Sequence, residues 1–525
     1  MTQEQALAIL KLGENVFLTG EPGAGKTYVL NQYIGWLREY DVDAAITAYT
    51  GIAASHVGGR TLHSWAGLRP GARHAPEEER ERIRNNRYLR DRMTAAKVLI
   101  IDEISMLHPE EFDRVDFICR TARNSTLPFG GLQLICCGDF FQIPPVQPKS
   151  DTARHAGQPS LFSAGEASRS SVDVMNAVLG NLNARRTRED DVRQSLKNKN
   201  DEPAEVTTET ERFVLDSAAW KAAGMRVCYL HEQHRQGDEA LLTILQEIRR
   251  GAVGAHSEAL LRSRLFANVQ APIGIARLYT HNENVDELNA AEARKLSGQE
   301  VIYDVQSRGD TKLVEKLKKE NKVDRLSLKI GARVMFTRNK SGMGYANGTL
   351  GEVIGFYDGE NTAEALPVVR TFDGREIVVE REGWEIAEDE KVYASIRQFP
   401  LKLAWAITVH KSQGMTLDAA EIDLSRAFEK GMGYVALSRV KSLANISLLG
   451  FNATALEVSE RMKKLDVEFL RESEDAEQYL AGLGAETCAE KQAEFLAELQ
   501  SESSGGRAAG DLTYEPEEIS MIDFE

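Results

Sequence analysis

Between an apolar run, Val16-Phe17-Leu18-Thr19, and a helix-compatible stretch over residues 26–36 lies Gly20-Glu21-Pro22-Gly23-Ala24-Gly25-Lys26-Thr27. The glycines free the backbone to turn N–H groups toward one point, and a helix starting behind them adds the positive end of its dipole. Strand, glycine loop and helix in that order cradle phosphate. A lysine amine then serves the β- and γ-phosphates and a hydroxyl serves Mg²⁺. Lys26 and Thr27 take those two places. The chain must therefore build a parallel α/β sheet around a nucleoside triphosphate site. Gly20, Glu21, Pro22, Gly23, Ala24, Gly25, Lys26 and Thr27 are its expected ATP-binding residues.

A second run, Lys97-Val98-Leu99-Ile100-Ile101, is apolar without alternation, as a strand buried on both faces requires. Asp102-Glu103 follows at its carboxyl end, where open α/β sheets bind ligands. Asp102 suits water-mediated Mg²⁺ binding. Glu103 is placed to orient or deprotonate an attacking water. A strand ending in two acids is common and usually structural. Its pairing with the phosphate loop makes the catalytic reading the stronger one.

A length of 525 residues exceeds one ordinary core and implies two to four domains. No apolar run is long enough to span a membrane. The first residues, Met1-Thr2-Gln3-Glu4-Gln5, lack the basic and apolar regions of a signal peptide. A cytoplasmic protein without membrane association is expected. Cys119, Cys136, Cys137, Cys228 and Cys488 are scattered, as reduced core thiols are, and fit neither a disulfide frame nor a zinc site. The net charge of −16 argues against a polyanionic partner only until its distribution is considered. Residues 456–525 hold 19 acidic and 6 basic side chains, leaving 61 acidic and 58 basic in residues 1–455. A near-neutral body can still present a basic groove.

Apolar strand-like runs alternate with helical stretches over residues 1–150, including 44–48 and 132–137, as in a parallel α/β domain. Residues 151–211 are mostly polar and read as a mobile insertion. A second α/β region occupies 212–301, with strands expected at 226–230 and 276–279 and helices at 239–250 and 285–296. Residues 302–397 change to short strands separated by Asn347-Gly348, Asp358-Gly359 and Asp373-Gly374, the turn signals of a small β-barrel. The α/β pattern resumes over 398–455. Residues 456–525 form an acidic, helix-prone tail that ends in a flexible linker and an acidic, partly apolar tip at 511–525.

Further segments follow in order. They are Thr50-Gly51-Ile52-Ala53-Ala54, Gly58-Gly59-Arg60-Thr61-Leu62-His63-Ser64-Trp65, Gly138-Asp139-Phe140-Phe141-Gln142-Ile143-Pro144-Pro145-Val146, Glu232-Gln233-His234-Arg235-Gln236, Ala406-Ile407-Thr408-Val409-His410-Lys411-Ser412-Gln413-Gly414-Met415-Thr416 and Tyr434-Val435-Ala436-Leu437-Ser438-Arg439-Val440. With the two nucleotide motifs, the chain resembles the PIF-one-like branch of superfamily 1B DNA helicases over about residues 1–455. It is more distantly similar to RecD-like helicases.

The resemblance implies two RecA-like P-loop NTPase domains, with ATP in the cleft between them and single-stranded DNA across their top. It also implies a short 1B insertion at about 68–94, an SH3-like 2B insertion at 302–397, and 5′-to-3′ translocation with strand separation. Roles in replication, recombination, repair or telomere maintenance follow at the level of the family. By motif match the catalytic set is Lys26, Asp102, Glu103, Gln142, Arg235 and Arg439. The two arginines come from the second domain, so hydrolysis depends on cleft closure. Gln142 senses the γ-phosphate, Gln5 contacts adenine and Gly414 lies at the nucleotide. Without the motif, either arginine reads as an ordinary ion pair, and Gln5 as an exposed helix residue.

For DNA, the candidates are Thr50, Gly51, His63, Ser64, Trp65, His410, Lys411 and Ser412. Their polar groups suit phosphates and sugars. Trp65 suits either a base or the core, and family members often carry Phe there. Two features depart from the family: the insertion at 151–211, and the C-terminal tail, whose tip could bind a protein partner. A monomer acting on single-stranded and duplex DNA is expected. The rival reading is an ATP-driven single-strand translocase or nucleoprotein remodeller that unwinds little duplex.

Overall fold

The computed structural model describes residues 1–68, 76–144, 212–231, 238–269 and 276–501, apart from 322, 339, 341–342, 346, 359–363, 373, 389–390 and 418. The described residues belong to one compact unit. The expected insertion at 151–211 lies outside the described residues, as do Arg235 and the tip at 511–525.

The first sheet contains β1 (Val16–Gly20), β2 (Ala44–Ala48), β3 (Arg60–Thr61), β4 (Val98–Asp102), β5 (Gln133–Cys137) and β6 (Arg226–Leu230). They lie in the order β3-β2-β4-β5-β1-β6, all parallel. Every residue of β1, β4 and β5 is buried. Alternation along each strand divides those residues between two cores. Phe17, Leu99, Ile101, Leu134 and Cys136 face one layer, whereas Leu18, Val98, Ile100, Ile135 and Cys137 face the helices Gln3–Lys11 and Lys26–Glu39. Segment 68–94 contains the helix Pro76–Asn85 and most of Arg87–Ala95, which bury Ile83, Leu89 and Met93 in the first core.

One boundary is corrected. Arg226–Leu230, expected to open the second α/β region, pairs with all five residues of β1 and closes the first sheet. Its apolar pattern marked a strand, but a strand's partner is set by non-local packing that periodicity does not carry.

The second sheet begins with β7 (Ala276–Tyr279). An insertion follows: β8 (Val301–Tyr303), β9 (Gln306–Gly309), the helix Thr311–Asn321, β10 (Leu326–Leu328), β11 (Arg333–Phe336), β12 (Leu350–Tyr357), β13 (Leu366–Thr371), β14 (Glu376–Val378), β15 (Glu382–Glu388), β16 (Lys391–Gln398) and β17 (Leu401–Leu403). It contains an antiparallel five-stranded sheet, β14-β13-β12-β11-β17, a three-stranded sheet, β15-β16-β9, and the pair β10-β8. The chain then returns through β18 (Ala406–Thr408), β19 (Ala420–Leu424) and β20 (Ile446–Phe451), giving a parallel sheet in the order β18-β7-β19-β20.

The acidic C-terminal segment is part of the fold up to Ser501. Helix Glu460–Ser501, interrupted at Gly484 (φ 70°), packs on the first sheet and its covering helices. Phe469 meets Phe17 edge-on at 5.3 Å, and Ala476 and Leu499 are buried. The amide of Tyr229 donates to Ser473 Oγ at 3.0 Å. This contact covers the open edge of β6, which would otherwise expose unpaired backbone. The helix expected of this acidic stretch forms, and its apolar face decides the packing. Among the described residues, no helix is long and apolar enough to cross a membrane.

Candidate nucleotide site and nucleic-acid face

The carboxyl ends of β1, β5 and β4 are neighbours, and each delivers part of one site. After β1 the loop turns on Gly20, Gly23 and Gly25, with φ of 145°, 90° and 86°. A side chain at Gly20 would meet the Leu230 carbonyl at 2.7 Å, so the residue must be small. Lys26 Nζ donates to the carbonyls of Gly20 (2.7 Å) and Glu21 (3.1 Å), spanning its own loop. Thr27 is exposed at the first turn of helix Lys26–Glu39.

The two glutamines upstream divide their work. Gln5 Oε1 accepts from the Thr2 amide at 2.8 Å, closing a capping box. Gln3 Nε2 instead donates to the Ala24 carbonyl at 3.1 Å and so touches the phosphate loop. The motif marks Gln5; the loop contact belongs to Gln3.

Asp102 and Glu103 stand at the end of β4. The Glu103 amide donates to Asp102 Oδ1 at 2.9 Å. Glu103 itself takes a left-handed conformation (φ 54°), uncommon for a side chain of this size. Burial pushes the Asp102 carboxyl above its ordinary range, although the Glu103 amide, the Cys137 thiol and Lys26 pull the other way. Burial, and then the charge of Asp102, push Glu103 up to about 7, against the opposing pull of Arg439 and Lys26. Glu103 Oε2 is sealed from solvent without a hydrogen-bond partner, and so are Gln142 Oε1 and Gln413 Nε2. Such atoms are costly in a core and normal where a ligand completes the bonding. Gly414 lies beside this carboxylate: a side chain there would come within 3.8 Å of Glu103 Oε1.

At the end of β5, Asp139 is fully buried and anchors the turn to Gln142. Its Oδ1 accepts from the Phe141 amide at 3.1 Å and from Arg249 Nη1 at 2.8 Å. Tyr434 donates its hydroxyl to Asp139 Oδ2 at 2.8 Å, and Arg249 Nη2 donates to Asp466 at 2.9 Å. The Arg249 guanidinium also lies 3.9 Å from the centre of the Phe141 ring. Burial alone would raise the Asp139 carboxyl, but Arg249, Lys26 and the Tyr434 hydroxyl hold it below the usual range. Gly431 (φ 86°) precedes helix Met432–Ser438, and a side chain there would meet the Phe141 and Gln142 carbonyls at 2.9 and 3.1 Å. The turn carrying Gln142 therefore touches elements of the second α/β region directly. Gln246 Nε2 adds a bond to Glu21 Oε2 at 2.9 Å.

Arg439 follows helix Met432–Ser438 and is buried, with Nε donating to Val435 O at 3.0 Å and Nη2 to Ser438 Oγ at 2.9 Å. Arg249 carries no motif. The signal available was its position on the buried stripe formed by Leu241, Leu245 and Ile248 in helix Glu239–Arg250. A guanidinium on an apolar stripe needs a buried acid.

The nucleic-acid candidates separate into two groups. Thr50 caps helix Gly51–His56, accepting from the Ala53 amide at 3.2 Å; Gly51 is buried. His63 Nε2 lies 3.2 Å from Glu111 Oε1, and Ser64 is exposed beside it. Burial opposes ionisation of Glu111, yet the His63 bond holds its carboxyl below the ordinary range. His410 lies 3.3 Å from Glu429 Oε2, and Lys411 is exposed.

Two candidates are corrected. Trp65 is 3% exposed and sits in the core with Leu62 and Leu89, so its ring cannot receive a base. The Ser412 hydroxyl is fully buried and donates to the Val409 carbonyl at 2.7 Å, holding the turn that presents His410 and Lys411.

A family profile described as PIF1-like helicase matches residues 3–179. An ATP-dependent DNA helicase Pif1 from Psychrobacter sp. (strain PRwf-1) is 39% identical, over 94% of this chain and 75% of its own. The ATP-dependent DNA helicase PIF1 of Danio rerio is 35% identical over 87% of this chain, which spans 62% of that longer protein. The crystal structure of Bacteroides Pif1 bound to ssDNA superposes with a TM-score of 0.65 at 29% identity, covering 90% of this chain and 97% of that one. With a phosphate loop, an acid pair and a second parallel sheet arranged as above, the chain belongs to the PIF1-like helicase family.

Proposed function

We propose that the chain is an ATP-dependent DNA helicase that moves 5′-to-3′ along single-stranded DNA and separates duplex strands. The observation that carries this reading is the contact between the Gln142 turn and the second α/β region through Asp139, Arg249 and Gly431. Such a contact lets a change at the γ-phosphate act on a second DNA-binding region, as translocation requires. Glu103, sealed and raised toward neutrality, is suited to take a proton from the attacking water. Lys26, Arg439 and Arg235 supply positive charge to the transferring phosphoryl group. Gln5 serves adenine. Thr50, Gly51, His63, Ser64, His410 and Lys411 hold the strand.

One hydroxyl and few carboxylates suit Mg²⁺, which keeps several waters and takes phosphate oxygens as ligands. Thr27 and Asp102 would hold it, and bound with ATP it would neutralise phosphate charge. Among the described residues, no cluster of three His, Cys, Asp or Glu side chains forms a separate metal cage. We read the five-stranded antiparallel sheet, with Val334, Phe336, Val353 and Val369 in its core, as the SH3-like barrel of the 2B insertion.

The test is ATP-driven strand separation on matched duplexes with a 5′ or a 3′ single-stranded tail. The expected result is unwinding of the 5′-tailed duplex alone, lost in Lys26→Ala. Unwinding of neither, with hydrolysis still stimulated by single strands, would favour the translocase. No stimulation of ATP hydrolysis by DNA would overturn both.

A further inference from the structure

Phe428 follows β19 and is 58% exposed, although its neighbour Ala427 is buried. Two imidazoles flank its ring. His281, which follows β7, lies 4.9 Å away at 51°, and His410, which follows β18, lies 6.3 Å away at 24°. Both are held: His281 Nδ1 is 2.9 Å from Thr280 Oγ1, and His410 Nε2 is 3.3 Å from Glu429 Oε2. The carboxyl ends of three adjacent parallel strands thus place three aromatic rings together on the side where such sheets bind ligands.

A single exposed hydrophobe needs no explanation, but an exposed ring between two anchored rings is an ordered π surface. We propose that Phe428, with His281 and His410, is a stacking platform for one base of the bound DNA strand. This rests on the helicase reading. Two observations favour a base over a phosphate or a protein side chain. Glu429, beside the His410 ring, repels phosphate, whereas an uncharged base face is indifferent to it. Lys411, exposed in the same turn, puts a positive charge beside the path of the backbone that such a base would hang from. Stacking of this kind is tolerant of sequence, which suits an enzyme that must travel.

The experiment measures affinity of the full chain for labelled oligo-dT, intact or carrying one abasic site at successive positions. Phe428→Ala should weaken binding to intact oligo-dT roughly tenfold. Phe428→Trp should restore it and Phe428→Leu should not. Because the ring is exposed, the thermal midpoints of all three should match the parent chain. One abasic position should reproduce the loss in the parent and add nothing in Phe428→Ala. Equal binding by Phe428→Ala, or an abasic penalty unchanged by it, would overturn the platform while leaving the helicase reading intact. A parent chain that binds no single strand would overturn the helicase reading and the platform with it.

Discussion

Arg249 and Asp139, 110 residues apart, form a 2.8 Å ion pair in which both side chains are at most 5% exposed. Tyr434 closes the arrangement by donating to Asp139 while accepting from Arg249 at 3.1 Å. A buried pair of this kind is a poor source of net stability but is costly to break on one side. Arg249→Met should therefore cost about 3–5 kcal/mol in urea unfolding. Tyr434→Phe removes only the bridging hydroxyl and should cost about 1 kcal/mol. In the same variant, DNA-stimulated kcat should fall while KM for ATP holds. Equal kcat in Tyr434→Phe would reduce the network to scaffolding.

Glu103 makes the pH profile informative. Its carboxyl sits at about 7 through burial and the neighbouring Asp102, so the pair titrates together. A base must be ionised, so kcat/KM should fall about tenfold per pH unit below that value. Glu103→Gln should remove this limb and lower turnover by about 10²–10⁴. The stability sign is opposite. A carboxyl raised in the folded state favours folding at pH values below its unfolded range. That contribution is lost as pH rises through about 7. The nucleotide-free parent should thus lose melting temperature, relative to Glu103→Gln, as pH rises from about 4.5 to about 7.

Trp65 lies in the segment expected to meet DNA but belongs to the core. Trp65→Ala should destabilise the fold by about 3–5 kcal/mol in calorimetry or chemical denaturation. Weaker DNA binding by folded protein at low temperature, with no change in stability, would return the ring to the DNA face.

Gly431 combines a positive φ with close backbone approach to Phe141 and Gln142. Gly431→Ala adds both strain and a clash, and should cost more than about 1 kcal/mol by thermal melting. ATP turnover should fall with it, because the atoms that must yield carry Gln142.

Much of this was legible in the chain itself. Residues 44–48, 226–230, 239–250 and 276–279 form the expected elements at the expected bounds, because local periodicity and caps decide them. Lys26, Asp102, Glu103 and Gln142 reach one edge because strand order follows from a doubly wound sheet. What escaped was non-local. The pairing of β6 with β1, the docking of Phe469 and Ser473, and the partnership of Arg249 with Asp139 depend on which surfaces meet. Motif position also says nothing of side-chain direction, so it leaves Trp65 open between a base and the core and puts Ser412 on a surface that its hydroxyl does not reach.

The pairing of β6 with β1 has a practical meaning. The first sheet is stitched from sequence on both sides of residues 146–211, and helix Glu460–Ser501 adds a second seam on the same side of the cut. A protease nick anywhere in that stretch would break the backbone without parting the halves. The two fragments would migrate together as an equimolar complex and separate only in denaturant. Expressed apart, the two fragments should reassemble, with the phosphate loop rebuilt against Leu230.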